Sequence, residues 1–195
     1  MVNYLLERNK LTMINKELAN LNIDIIAKIG IPKSTVNAIH KMKVKTVGNL
    51  ADIEVCKLQE VIEKDGKISY EELMNILSQD LVKFIATLFE FLKEDSVYTM
   101  TLFHIKNHTM QELASKYGVS KDKVIQNIDR FLKSLFTVVD ALGAKMIENK
   151  PYIALEDFEN VLNDSDDRSL LILAFKAHNT KWKYHVQAEC FTVIK

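Results

Sequence analysis

The chain has 195 residues, room for one to three small domains with modest cores, and its 26 Lys and Arg balance its 26 Asp and Glu. Zero net charge excludes a global field that would draw the whole protein onto nucleic acid or a membrane, so any nucleic-acid surface has to be local. Two distant cysteines, Cys56 and Cys190, exclude a disulfide scaffold, and 5 Gly and 2 Pro among abundant Leu, Ile and Lys point to a mainly α fold.

Apolar residues at Leu5, Leu6, Leu11, Ile14, Leu18 and Leu21 predict one or two amphipathic helices over Val2–Leu21. Pro32 suits a first helical turn, and Ser34–Met42 follows as a short helix. Thr46–Leu50 and Glu54–Lys64 predict two more. Asp65-Gly66 turns, and Ser69 with Glu72 three residues on forms a capping box that opens the next helix. Several short helices separated by Gly turns describe a helix-hairpin-helix type of domain, whose turn amides can hold a DNA phosphate without a large side chain. From Ser69 the apolar positions Leu73, Ile76, Leu77, Leu81, Phe84, Ile85, Leu88 and Phe91 keep helical spacing, which predicts one long helix. Lys93–Ser96 stops it, and Val97–Lys106 forms the next.

His108–Phe136 carries the most information. Thr109 and Glu112 form a second capping box, Gly118 suits the left-handed turn that ends a short helix, and Ser120 caps a following one. The second helix buries Val124, Ile128, Phe131, Leu132 and Leu135 at helical spacing. Two short helices around a tight turn with Gly read as a helix-turn-helix, leaving Lys121, Lys123, Gln126, Asn127 and Arg130 to face outward. Lys, Arg and amide side chains on such a helix suit phosphate oxygens and base edges in a major groove. Across this stretch Lys116, Lys121, Lys123, Arg130 and Lys133 stand against Glu112, Asp122 and Asp129, a small local excess of positive charge.

Beyond Leu135 the helix is expected to continue through Val138, Val139 and Leu142 towards Gly143, and Asn149-Lys150-Pro151 ends it. Leu155–Leu162 and Arg168–His178 predict two helices around an acidic loop at Asn163–Asp167. Trp182, Tyr184 and Val186, then Phe191, Val193 and Ile194, alternate as two short strands about Gln187–Cys190, giving a small C-terminal α+β segment that is winged-helix-like. The expected organisation is a domain over 1–80, a second over 81–145, and this small segment over 146–195. No secretory signal opens the chain, and apolar runs such as Leu170–Phe175 are too short to span a bilayer, so a cytoplasmic protein without membrane contact is expected.

Two family resemblances bear on function. Thr109–Ala114, Gly118–Gln126 and Leu132–Leu135 resemble, without a gap, the region 4 helix-turn-helix of bacterial sigma factors. The resemblance implies promoter DNA contact by Lys121, Asp122, Lys123 and Gln126; at Ile125 the family usually has an arginine. Ile31–Ile39, Val44–Leu50 and Gly66–Leu73 resemble the C-terminal domain of the bacterial RNA polymerase alpha subunit. That resemblance implies minor-groove contact by Asn37 and phosphate contact by the turn of Gly66, Lys67 and Ser69, with Ser34 where the family has its groove-reading arginine. Nothing resembles the promoter-melting region of a complete sigma factor.

His104 and His108 are four apart, but no Cys and no carboxylate at ligand spacing joins them, so no zinc site is expected. Asn163–Asp167 lacks the Gly and terminal Glu of a calcium loop. With no phosphate-binding Gly loop, nucleophile elbow or Cys/His pair, neither an enzyme nor a cofactor is expected. The expectation is a DNA-binding protein connected to transcription in a bacterium, with duplex DNA and RNA polymerase as partners. The alternatives are a protein-interaction module that keeps these shapes without strong DNA binding, or the regulatory front part of a longer enzyme.

Overall fold

The computed structural model describes residues 14–65 and 68–194. It is mainly helical, with a three-stranded antiparallel sheet near the C-terminus, and divides into two compact units, Met1–Phe91 and Leu92–Lys195. Among the described residues no helix is long and apolar enough to cross a membrane.

In the first unit, Ile14–Leu21 forms turns rather than a helix, with Leu18 and Leu21 fully buried; the rest of the predicted N-terminal helix lies outside the described residues. A 3-10 helix, Ile23–Ile29, places four isoleucines in the core. It leads to α1 (Lys33–Lys41), a second 3-10 helix (Val47–Asp52) and α2 (Val55–Asp65). Backbone bonds from Ile23 to Lys45 and from Val47 to Leu21 tie the two 3-10 segments together. Next come α3 (Tyr70–Leu77) and α4 (Leu81–Leu92). The long helix expected from Ser69 is therefore two helices. Its periodicity survives the break because both halves face the same core, but Asp80 accepts from the Lys83 amide at 2.9 Å and starts a new helix. The Leu81 amide, diverted to Glu17 Oε2 at 2.9 Å, leaves the helical ladder.

The second unit contains α5 (Ser96–Ile105), α6 (Met110–Tyr117), α7 (Lys121–Ser134), α8 (Phe136–Met146), a 3-10 helix (Leu155–Asn160) and α9 (Ser165–Ala177). The helix expected to run unbroken past Leu135 is interrupted there: the Leu135 amide turns to Leu132 O, Ser134 Oγ donates to Phe131 O at 2.6 Å, and α8 begins at Phe136. Gly143 sits inside α8 because Trp182 packs onto it; a Cβ there would lie 2.1 Å from Trp182 Cζ2. Strands β1 (Ile153–Ala154), β2 (Trp182–His185) and β3 (Cys190–Val193) form the sheet in the order β1-β3-β2. β1 was not anticipated, and Val186 lies in the turn, 74% exposed, rather than in a strand. Helix α9 packs on α5, α7 and α8 and on β2, so the C-terminal segment shares one core with the helices before it.

Helix α9 also starts three residues earlier than expected. Asp164 caps it, accepting from the amides of Asp166 and Asp167 at 2.8 and 3.1 Å. The acidic stretch Asn163–Asp167 is thus largely the first turn of a helix, and Asp167 is 2% exposed. Its carboxylate accepts the Tyr98 hydroxyl at 2.5 Å and lies 3.2 Å from Lys93 Nζ. Desolvation, then the bond to Asp167, pushes the Tyr98 hydroxyl well above its ordinary pKa, so it stays a donor at any physiological pH. Cys56 and Cys190 are both free thiols.

Candidate nucleic-acid interface

The α6–α7 pair is built from local chemistry. Thr109 Oγ1 accepts from the Glu112 amide at 3.2 Å, and Glu112 Oε2 accepts from the Thr109 amide at 2.7 Å, so two orphan donors of the first turn are satisfied together. Gly118 ends α6 at φ 64°, ψ 33°, with its amide on Ala114 O. A Cβ at Gly118 would meet nothing within 4 Å, so glycine is favoured there by the left-handed backbone alone. Ser120 Oγ then accepts from the Lys123 amide at 3.2 Å and opens α7.

Along α7, Val124, Ile128, Phe131 and Leu132 are 0–7% exposed and face α5, α6 and α9. Lys121, Asp122, Lys123, Gln126 and Arg130 are all exposed, Lys121 in the first turn above Val124 and the others turned away from the stripe, while Asn127 is half-buried. Among the described residues none of these six side chains has a hydrogen-bond or ion-pair partner. Two other cations of the stretch are already engaged. Lys116 lies over the Phe103 ring at 3.5 Å, and Lys133 pairs with Asp129 at 2.8 Å. The free charge on the outward face is therefore three cations against the single carboxylate of Asp122. Asp122 also sits in the first turn of α7, where the helix dipole favours an anion.

In the first unit Asn37 is exposed on α1, one turn after exposed Ser34. Ser69 caps α3: its Oγ accepts from the Glu72 amide at 3.1 Å and its own amide donates to Glu72 Oε2 at 2.7 Å. What Ser69 has left for an outside oxygen is its hydroxyl hydrogen. Gly66 and Lys67 lie outside the described residues. His108 Nδ1 sits 3.9 Å from Glu112 Oε2, and His104 Nδ1 is buried without a partner. Among the described residues no group of three or more His, Cys, Asp or Glu is arranged to hold a metal.

The caps also set a pH dependence. The Thr109 amide, and then the Thr109 hydroxyl, hold the Glu112 carboxyl below its ordinary pKa; Ser69 does the same for Glu72. The amides of Asp167 and then Asp166 lower Asp164. A carboxyl depressed by folding contributes stability above its unfolded pKa and loses it as pH falls through the folded value. Carboxyl titrations followed by NMR are expected to place Glu72 and Glu112 below about 4.3 and Asp164 below about 3.9. A midpoint at or above those values at Glu112 would mean the α6 cap is not formed in solution.

The polar cluster of Tyr98, Asp167 and Lys93 was not anticipated. The available signal was periodic: Asp167 falls in helical register with Leu170, Leu171, Ala174 and Phe175, all buried. Comparison of the chain with protein-family models, curated proteins and solved structures gave no match.

Proposed function

We propose that this protein binds duplex DNA in connection with transcription in a bacterial cytoplasm, with α6 and α7 acting as a helix-turn-helix and α7 as its reading helix. The observation that carries this reading is the exposed surface of α7: Lys121, Lys123, Gln126 and Arg130 are exposed and unpartnered on a helix whose Val124, Ile128, Phe131 and Leu132 are packed. A protein that held these groups for internal structure would pair them, as it pairs Lys133 and Lys116. Free cations at the start of a helix meet phosphates, and a free amide one turn on meets a base edge.

Around this helix pair the rest of the chain takes supporting roles. The sheet order β1-β3-β2, with the 3-10 segment and α9 between β1 and β2, supports reading the C-terminal segment as winged-helix-like. The first unit is read as a helix-hairpin-helix type of domain that offers Asn37, Gly66, Lys67 and Ser69 to DNA. Exposed Ser34, where the resembled family has arginine, leaves that one position of α1 without a cation for a narrow groove and favours a protein partner such as RNA polymerase for this unit.

Each Lys that neutralises a phosphate releases about one counterion, so duplex binding is expected to weaken steeply between about 50 and 200 mM salt. Replacing Lys121 and Lys123 together by Ala lowers the salt slope by about two and weakens binding to all sequences alike. Gln126→Ala loses about 1–3 kcal/mol on the preferred site only, because its amide pairs with an adenine edge. Fluorescence anisotropy against mixed duplex DNA checks this. Absence of binding at about 50 mM salt, the low end of the steep range, overturns the reading.

A further inference from the structure

One residue on the outward side of α7 does not fit a phosphate-binding surface. Ile125 is 44% exposed, the single large apolar side chain of α7 turned to solvent. Its neighbours at helical spacing are Lys121 and Asp122 one turn before and Asp129 and the buried Ile128 one turn after, and Gln126 follows it directly. The apolar area open to solvent is thus one side chain wide, bordered by the buried stripe at Ile128 and by charge at Lys121, Asp122 and Asp129. That is too small and too polar at its margin for the core of a protein–protein contact, which needs a contiguous apolar patch of hundreds of Å².

We infer that Ile125 is a specificity-determining contact that packs on the C5-methyl group of thymine in the major groove. The inference rests on the reading of α7 as the DNA-facing helix and adds what that helix selects. Thymine is the one standard base that presents a methyl group at the major-groove edge; the other edges present donors, acceptors and C–H groups but no methyl. Against those, an isoleucine strips water from a polar atom and returns no hydrogen bond, which works against the wrong base as well as for the right one. Lys121, Lys123 and Arg130 hold the helix on the backbone without regard to sequence, and Gln126 reads a neighbouring edge. The preferred site therefore carries an A·T pair next to the base that Gln126 meets.

The test uses the full chain and two duplex probes that differ only in the methyl group, alternating poly(dA-dT) and alternating poly(dA-dU), titrated at about 50 mM salt. Binding to the thymine duplex is expected to be about three- to fivefold tighter, the factor carried by burying one methyl group. In Ile125→Ala, whose shorter side chain no longer reaches the methyl group, the thymine preference is lost. Being exposed, the substitution leaves the fold intact, which a thermal melt verifies. Equal affinities in the parent protein, or a thymine preference that persists in Ile125→Ala, overturn the inference and leave the DNA reading standing. Failure to bind either duplex overturns both.

Discussion

Phe131→Ala is expected to lower the unfolding free energy by about 3–5 kcal/mol, the range for deleting a buried phenylalanine side chain. Phe131 is 3% exposed in the stripe that α7 packs into its own unit, between Ile128 and Leu135. Removing the ring leaves a void that these neighbours fill only in part. Arg130→Ala, the residue before it on the opposite face, is expected to stay within about 0.5 kcal/mol. Urea denaturation of the two variants, compared at equal m-values, measures both. The pair also fixes the rotation of α7 about its axis. A large loss at Arg130 with none at Phe131 would turn the helix over, and the face assigned to DNA with it.

The second large effect lies at the contact between α8 and β2. Trp182 is 2% exposed, and its ring lies where a Cβ on Gly143 would sit, 2.1 Å from Cζ2 and 2.4 Å from Cη2. Phe175 flanks the indole at 5.4 Å between centroids. Trp182→Ala is expected to cost about 3–5 kcal/mol. Gly143→Ala costs about 1–3 kcal/mol, because a rigid indole that is 2% exposed has little room to retreat. Put together, the two changes cost less than their sum. With the indole gone the new methyl has space, and alanine in a helix interior gains up to about 1 kcal/mol over glycine. Unfolding the four proteins of this cycle decides the matter: additive losses would mean that the indole does not rest on the helix backbone.

What could be read from the amino-acid order divides by the distance over which its cause acts. Thr109 with Glu112, Gly118, and Ser120 with the Lys123 amide are interactions within four residues, and each stands where its chemistry places it. The same holds for the stripe Val124 to Leu132, since periodicity is local. Asp167 looked like part of a solvated acidic loop because its partner, Tyr98, is 69 positions away. The breaks at Asp80 and Leu135 were hidden by apolar spacing that runs through both, the first being enforced by Glu17, 64 positions before Leu81. On the outward face of α7 the exposed residues were legible but their occupancy was not. Lys133 has Asp129 one turn away, a local pair, but Lys116 is held by the Phe103 ring, 13 positions before it, which spacing does not reveal.

The shortest strand sets a condition on how the second unit comes together. β1 owes its existence to Ile153 opposite Phe191 and Ala154 opposite Cys190. On a chain made from its amino end, these two residues leave the ribosome well before their partners. At about 5–20 residues per second they wait on the order of seconds for β3. The α6–α7 hairpin, whose contacts are close in sequence, needs no such wait and can close on the microsecond-to-millisecond scale of low-contact-order elements. Assembly of this unit is therefore ordered in time, with the helical face ready first and the sheet sealed last, and until β3 arrives Ile153 has no strand to shelter it.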